Sequence, residues 1–455
     1  MITPNCSTAY KLLCQGENAL SQVSVNGFKI DRDYYMKQKP LIEDEVRRLK
    51  KQVIEESEIG RAWERRFQSR MNLDSADQLK AVLKNDMQFD KFKTTEKGGE
   101  SADKSVVEKL PYEFSNPFLR YKQLNKAWGS LITPIMLGAD ENGFVHPNIN
   151  LHTVRTYRSS CDSPNLQNVP KHNELIKTMV RGGFIPRASN RYIAELDFSA
   201  AECGVGLALH KDPQMQIFYS DPDADMHGTI ARKFFFLDDK TFCKPLRQCA
   251  KKITFGQNYG SGAESLAKTM WEFIEESHTK TGDGTDIKDH MANNGVNDYE
   301  SCLRHSEDVV NWYWKDLYTE YGKWVDEQWH NYKRDGYIDL PTGFRATALM
   351  RRTQCVNIAI QGATCHVMLS GLIGLQKRLV KYKCGTKLVC QVHDSVVLDV
   401  VPKEWDDVCE MYLEAQDDTM EMWKWLTYRL QVDADTAPCG ESWAKTKEWG
   451  TLHRK

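Results

Sequence analysis

The sequence predicts an α+β protein built of several sub-domains, and three observations carry that prediction. Two apolar, β-branched runs, Lys387-Leu388-Val389-Cys390 and Val396-Val397-Leu398-Asp399-Val400, flank the polar step Gln391-Val392-His393-Asp394-Ser395. They predict a buried hairpin with Asp394 at its turn. Tyr192-Ile193-Ala194-Glu195-Leu196-Asp197-Phe198 predicts a further strand, while long segments elsewhere carry apolar residues at helical spacing. A chain of 455 residues is long enough to divide a large core among several units.

Composition narrows the classes. Hydrophobic residues make up 41% and charged residues 27%, ordinary values for a globular chain. No apolar run approaches the length of a membrane span, and Met1-Ile2-Thr3-Pro4-Asn5 has no signal pattern, so a cytoplasmic location without membrane partners is expected. The 13 cysteines are scattered without a C-x-x-C, which predicts reduced thiols rather than a disulfide framework or a zinc site. A net charge of −2 leaves nucleic-acid binding to be decided by local placement of basic residues.

From the N-terminus, a helix is predicted over 7–25, ending at the Asn26-Gly27 turn. A long helix is predicted from Pro40 to about Arg70, with a cluster at Arg47, Arg48, Lys50 and Lys51, and a second helical region over 104–136 could return antiparallel to it. Between them lies a polar stretch with Lys80, Lys84, Lys91, Lys93, Lys97 and Gly98-Gly99. Two helices with a basic tip would suit a lever touching a phosphate backbone, although a solvated charged face has the same composition. The run 156–170, rich in Ser, Asn, Gln and Pro, is an ordered polar loop in which Arg158, Gln167 and Asn168 offer donors.

Asp197 ends its strand, and Ser199-Ala200-Ala201-Glu202 opens a helix with capping-box spacing, so Glu202 could serve simply as a cap. Pro245-Leu246 starts a helix that Gly260-Ser261-Gly262 stops; within it Arg247, Lys251, Phe255 and Tyr259 recur every fourth residue on one face. Two cations toward a helix N-terminus followed by two aromatics would accept a phosphate chain with a base beside it. The polar, glycine-containing stretch 275–308 is expected to be an exposed excursion, and the aromatic-rich helix 310–329 to pack a core. Pro341-Thr342-Gly343-Phe344-Arg345 is expected to turn directly into a helix bearing Asn357 and Gln361.

Two buried carboxylates, Asp197 and Asp394, with a stripe of cations and aromatics, form a coherent set for nucleotidyl transfer. Such a pair can hold two divalent ions about 4 Å apart, one activating a hydroxyl and the other stabilising the leaving pyrophosphate. Magnesium suits an oxygen-only ligand set.

The chain resembles the polymerase region of family A DNA polymerases, the class of bacterial DNA polymerase I and many phage replicases. The resemblance rests on Asp197-Phe198-Ser199-Ala200-Ala201-Glu202, on Arg247-x3-Lys251-x3-Phe255-x3-Tyr259-Gly260 and on Gln391-Val392-His393-Asp394-Ser395, in the family's order. Thr156-x-Arg158, Pro164 to Pro170, Asp225-Met226-His227 and Gln361-Gly362 extend it, and similarity runs from about Gly27 to Trp443. It implies a right-hand polymerase with an antiparallel-sheet palm, helical fingers and a helical thumb. The implied divisions are palm over 1–43, 137–204 and 348–455, thumb over 44–136 and fingers over 205–347.

It further implies that Asp197, Asp394 and the backbone carbonyl of Phe198 bind two Mg²⁺ ions, with Mn²⁺ as a possible substitute. Arg247, Lys251 and His227 would hold the triphosphate, Lys251 also acting in catalysis. Phe255 and Tyr259 would flank the nascent base pair, Phe255 implying discrimination against dideoxynucleotides, and Glu202 would exclude a ribose 2′-hydroxyl. Arg158, Asn357, Gln361 and His393 would contact primer or template.

The implied substrates are primer-template DNA and dNTPs, in phage or bacterial replication or repair. With only some 26 residues before Gly27, the expectation is no proofreading exonuclease in the chain: either it resides on a separate exonuclease chain or the enzyme does not proofread, and replication accessory proteins are further candidate partners. Departures from the family pattern are Ser395 in place of a Glu, Ala200-Ala201 in place of Gln-Ile, and Thr353 where Arg is frequent. His-Asp-Ser also occurs in single-subunit RNA polymerases, the competing enzyme class, while an inert nucleic-acid-binding module is the non-enzymatic alternative.

Overall fold

The computed structural model describes residues 6–94, 98–171, 173–221, 223–258 and 260–453. Tyr259 and Lys97 of the motifs above therefore lie outside the described residues. At the centre is a five-stranded antiparallel sheet in the order Lys387–Val392, Ser395–Val400, Tyr192–Phe198, Val432–Thr436, Lys447–Thr451. The predicted hairpin and the predicted 192–198 strand are thus neighbours. Their β-branched and apolar side chains, with Ile193, Leu196, Leu398 and Val400 fully buried, explain why these segments occupy the interior of the sheet.

One face of the sheet is covered by the helices Arg352–Lys381 and Trp405–Met422, which pack on each other. Phe198 meets Tyr412 there at a ring separation of 5.8 Å. The N-terminal helix, Cys6–Asn26, lies beside them and donates from Asn26 Nδ2 to the Leu388 carbonyl at 2.8 Å. The Arg352–Lys381 helix corrects one expectation: by length and composition it is apolar enough to cross a membrane. Its most apolar window is 83% buried inside the protein, so its hydrophobicity is spent on the core of this fold.

The predicted 40–70 helix starts earlier and is broken. It spans Arg32–Glu56, capped by Asp31, whose carboxylate accepts from Tyr34 N at 2.9 Å; Pro40 lies inside it rather than at its start. The break falls at Ser57, which caps a second helix, Glu58–Phe67, by accepting from Gly60 N and ties back by donating to the Val53 carbonyl. Gly60 permits this tight joint, because a Cβ there would lie 1.7 Å from the Val53 oxygen.

The return helix is Tyr112–Lys126, antiparallel to the first: Arg32 reaches the Ala139 carbonyl at 2.6 Å while Glu45 pairs with Arg120 at 3.2 Å. Lysines of the tip are paired with acids, Lys84 with Glu100 and Lys93 with Asp103, each at 3.0 Å. These exposed pairs contribute little to stability and leave the cations at the surface.

A second apolar core, separate from the one under the sheet, gathers Leu246, Ile253, Met270, Ile287, Met291, Tyr313 and Tyr321 from helices between residues 226 and 335. The aromatic run packs here as expected: Tyr313 donates to Asn258 Oδ1 at 2.6 Å and Tyr321 to the Asn258 carbonyl at 2.5 Å. The 275–308 stretch is not a simple excursion. It contains the helix Ile287–Asn293, and Ile287 and Met291, one turn apart, are fully buried in this core. The turn at 341–344 joins two short strands, Tyr337–Asp339 and Arg345–Thr347, and the long helix begins only at Arg352.

Candidate active site

The strand register brings the two candidate carboxylates together. Ser395 lies opposite Asp197, and Phe198 N–H donates to the Asp394 carbonyl at 3.3 Å, fixing the hairpin turn against the end of the central strand. Both turns beside the carboxylates hold a non-glycine residue in the left-handed region, Ala200 at φ +49° and His393 at φ +51°. That conformation costs each residue about 1 kcal/mol or more and persists where the surrounding structure enforces it, a pattern typical of functional sites. Burial, reinforced by the nearby charge of Asp197, raises the Asp394 carboxyl above its ordinary range. Two converging carboxylates of this kind attract positive charge.

Beyond this pair opens a cleft of about 660 Å³ whose wall carries Glu202, His227, Arg247, Lys251, Phe255 and Asp394. Arg247, Lys251 and Phe255 come from the Lys244–Asn258 helix, as the four-residue spacing predicts. Arg247 is held by Asp225, which accepts from its Nε at 2.7 Å and also caps the helix Met226–Phe234. The Arg247 hydrogen bond lowers the Asp225 carboxyl below its usual range. His227 Nδ1 lies 3.1 Å from Thr254 Oγ1, and burial together with the Arg247 and Lys251 charges lowers its pKa. A neutral imidazole beside two cations is a wall suited to polyanions. Phe255 is half exposed to the cleft, with Lys251 Nζ 5.9 Å from its ring centre.

Glu202 does not cap its helix. The helix Ala201–His210 has Ala200 at its N-cap with no side-chain cap bond, because Ala200 is left-handed and Ser199 donates to Asp433 instead. Glu202 is turned to the cleft and accepts from Arg158 at 2.6 Å. Burial, with a contribution from Asp394, raises the Glu202 carboxyl despite Arg158. Asn357 and Gln361 lie one turn apart on the Arg352–Lys381 helix, half-buried, and Asn357 Oδ1 is buried with no partner among the described residues. His393 is exposed on the hairpin turn, where its carbonyl accepts from Gln391 Nε2 at 2.6 Å.

On the far side of the carboxylates is a second cavity of about 490 Å³, and its key residues were missed from sequence. Glu195 is 2% exposed, and its Oε2 accepts from Arg181 at 3.0 Å and from Trp443 Nε1 at 3.1 Å. Its Oε1 accepts from Ser395 Oγ at 3.1 Å, which gives a structural place to the residue that departs from the family pattern. Burial would raise Glu195, but Arg181 and Lys171 outweigh it and keep the carboxyl below its usual range. The signal was present: Glu195 and Asp197 are two apart in a strand and so share a face. Glu195→Ala, leaving Arg181 buried and unpaired, is expected to cost about 3–5 kcal/mol in urea unfolding. A cost within experimental error would refute this account of the pair.

Residues 39–445 match the family model described as DNA polymerase family A. The chain is 25% identical over 388 residues to a DNA polymerase I of Synechocystis sp., covering 83% of this chain and 37% of that one. It is 24% identical over 444 residues to the thermostable DNA polymerase I of Thermus aquaticus, covering 94% and 47%. It thus spans less than half the length of either relative. The polymerase domain of Pol1 from M. smegmatis, solved with DNA primer-template and dNTP, superimposes with a TM-score of 0.73 at 18% identity, over 95% of this chain and 70% of that one. Its fold is therefore the right-hand α+β fold that the sequence implies.

Proposed function

Because the chain belongs to the family A DNA polymerases, we propose that it carries out template-directed, primer-dependent DNA synthesis from dNTPs by two-metal nucleotidyl transfer. The observation that carries this reading is the convergence, around one cleft, of the Asp394 carboxylate from the sheet with Arg247, Lys251, His227 and Phe255 from the helical wall. In this reading 205–347 act as fingers, 44–136 as thumb, and 1–43, 137–204 and 348–455 as palm.

The donor set fits a divalent ion. Asp197, Asp394 and the Phe198 carbonyl offer oxygen only, and among the described residues no third acidic, His or Cys ligand completes a cage. Mg²⁺ characteristically binds through one or two carboxylates plus substrate phosphates, with Mn²⁺ as the natural substitute. When bound, the ions would supply charge neutralisation at the attacking hydroxyl and the leaving pyrophosphate. Arg247, oriented by Asp225, and Lys251 would grip the triphosphate, and His227 would accept or donate a hydrogen bond at its edge. Phe255 and Tyr259 would pack on the nascent base pair, and Arg158, Asn357, Gln361 and His393 would meet primer and template. We place the enzyme in phage or bacterial replication or repair, working with replication accessory proteins.

Primer extension with each nucleotide set tests the reading. Incorporation of dNTPs in preference to rNTPs, only from an annealed primer, is expected, and a 3′-mismatched primer should be left untrimmed. Equal use of both sugars, or initiation without a primer, would point to an RNA polymerase instead.

Glu202 gives a sharper version. Since it caps nothing and burial raises its carboxyl, Glu202→Ala should not lower the melting temperature at neutral pH, while lowering discrimination against ribonucleotides by about 10²-fold. A capping residue would behave in the opposite way, costing about 1 kcal/mol of stability with discrimination intact.

A further inference from the structure

Lys171 Nζ lies 2.7 Å from Asp197 Oδ2 and 3.4 Å from Glu195 Oε1. It is not a loosely placed surface lysine. Its backbone follows Pro170, whose carbonyl accepts from Arg181 Nε at 3.0 Å, and the same guanidinium donates through NH1 to Glu195. One buried arginine therefore sets both the root of the lysine and the carboxylate beside its tip. Glu195 is itself immobilised by Trp443 and Ser395. Asp197, in contrast, has 38% of its side chain exposed and faces the cavity shared with Asp394. The ammonium thus has two stations, one buried and permanent, the other on a carboxylate that an entering ligand can reach.

We propose that Lys171 is a tethered counter-ion for Asp197, occupying that carboxylate in the DNA-free protein and withdrawing onto Glu195 when a divalent ion takes its place. This rests on the assignment of Asp197 as a metal-binding carboxylate. The physical reason is direct: an ammonium at hydrogen-bond distance from a carboxylate oxygen and a divalent ion on the same carboxylate repel each other strongly at this separation. Fixed Glu195 supplies the compensating charge that lets the lysine withdraw without being stranded. Lys171 is accordingly a positioning residue, and its effect is on how tightly the ion binds.

The test is Mn²⁺ binding to the whole protein without DNA or nucleotide, followed by loss of the free-ion electron paramagnetic resonance signal. Lys171→Met and Lys171→Gln should each tighten binding at the Asp197 site by about tenfold through removal of the adjacent like charge. Lys177→Met, which removes a nearby lysine paired with Glu174 rather than with the carboxylate pair, should leave it unchanged. Asp197→Asn should abolish the site in every background. If Asp197→Asn removes the site but both Lys171 variants bind as the unaltered protein does, the counter-ion role is overturned while the metal assignment stands. If Asp197→Asn leaves binding unaltered, the metal assignment itself falls and the counter-ion role with it. Circular dichroism of each variant confirms that folded proteins are being compared.

Discussion

Asp394→Ala is expected to reduce primer extension by about 10³-fold or more, because on the proposed two-metal function it removes one of two carboxylates that would hold the neutralising charge at the reacting phosphate. The fold should survive the change and even gain from it. Burial and the neighbouring Asp197 raise the Asp394 carboxyl in the folded protein, so its ionisation opposes folding as pH rises through the window above the ordinary carboxylate value. Asp394→Asn should therefore melt at a higher temperature than the unaltered protein at neutral pH. The gain should vanish below about pH 3.9, where the group is protonated in both folded and unfolded chains. Single-turnover extension and thermal melting across pH, made on the same samples, check both halves. Extension within a few-fold of the unaltered enzyme would remove Asp394 from the mechanism.

Lys251→Ala carries the second large effect. The Lys251 ammonium lines the cleft against the Phe255 ring, without an ionic partner among the described residues, so its charge is available to the substrate. Deleting a fixed cation aimed at developing phosphate charge typically lowers kcat by about 10²–10³-fold. Arg247→Ala should differ in kind. Arg247 is already engaged with Asp225, so its loss also frees a carboxylate at the proposed triphosphate site and should weaken dNTP binding as well as turnover. Pre-steady-state measurement of apparent dNTP affinity and maximal rate separates the two, and indistinguishable profiles would refute the distinction.

The parts of this architecture legible in the sequence are those governed by local pattern. The apolar, β-branched runs around Asp197 and Asp394 and the four-residue recurrence of Arg247, Lys251 and Phe255 are properties of one segment at a time, and they appear as read. Local pattern misled where a residue type has two uses. Pro40 suggested a helix start but lies within a helix whose start Asp31 fixes, and Ser199-x-x-Glu202 suggested a cap but Ser199 prefers Asp433. The pairing of Lys171, Arg181, Glu195, Ser395 and Trp443 was invisible for another reason. Its directly bonded members are as much as 248 positions apart, and only the strand register and the closing segment of the chain bring them together.

The two separate apolar cores divide the labour of the site. Asp197 and Asp394 belong to the sheet and its core, whereas Arg247, Lys251, Phe255 and His227 ride on helices that pack in the other. Among the described residues, two helices contribute fully or nearly fully buried side chains to both cores. Ala201–His210 buries Val205 in the first core and Leu207 in the second, and Arg352–Lys381 does the same with Cys355 and Val356. On the proposed function, the sheet side would carry the reacting carboxylates and the helical side the groups that grip the substrate. Hydrogen exchange should then report two cooperative blocks, with Glu202 and Asn357 carried on the helices between them.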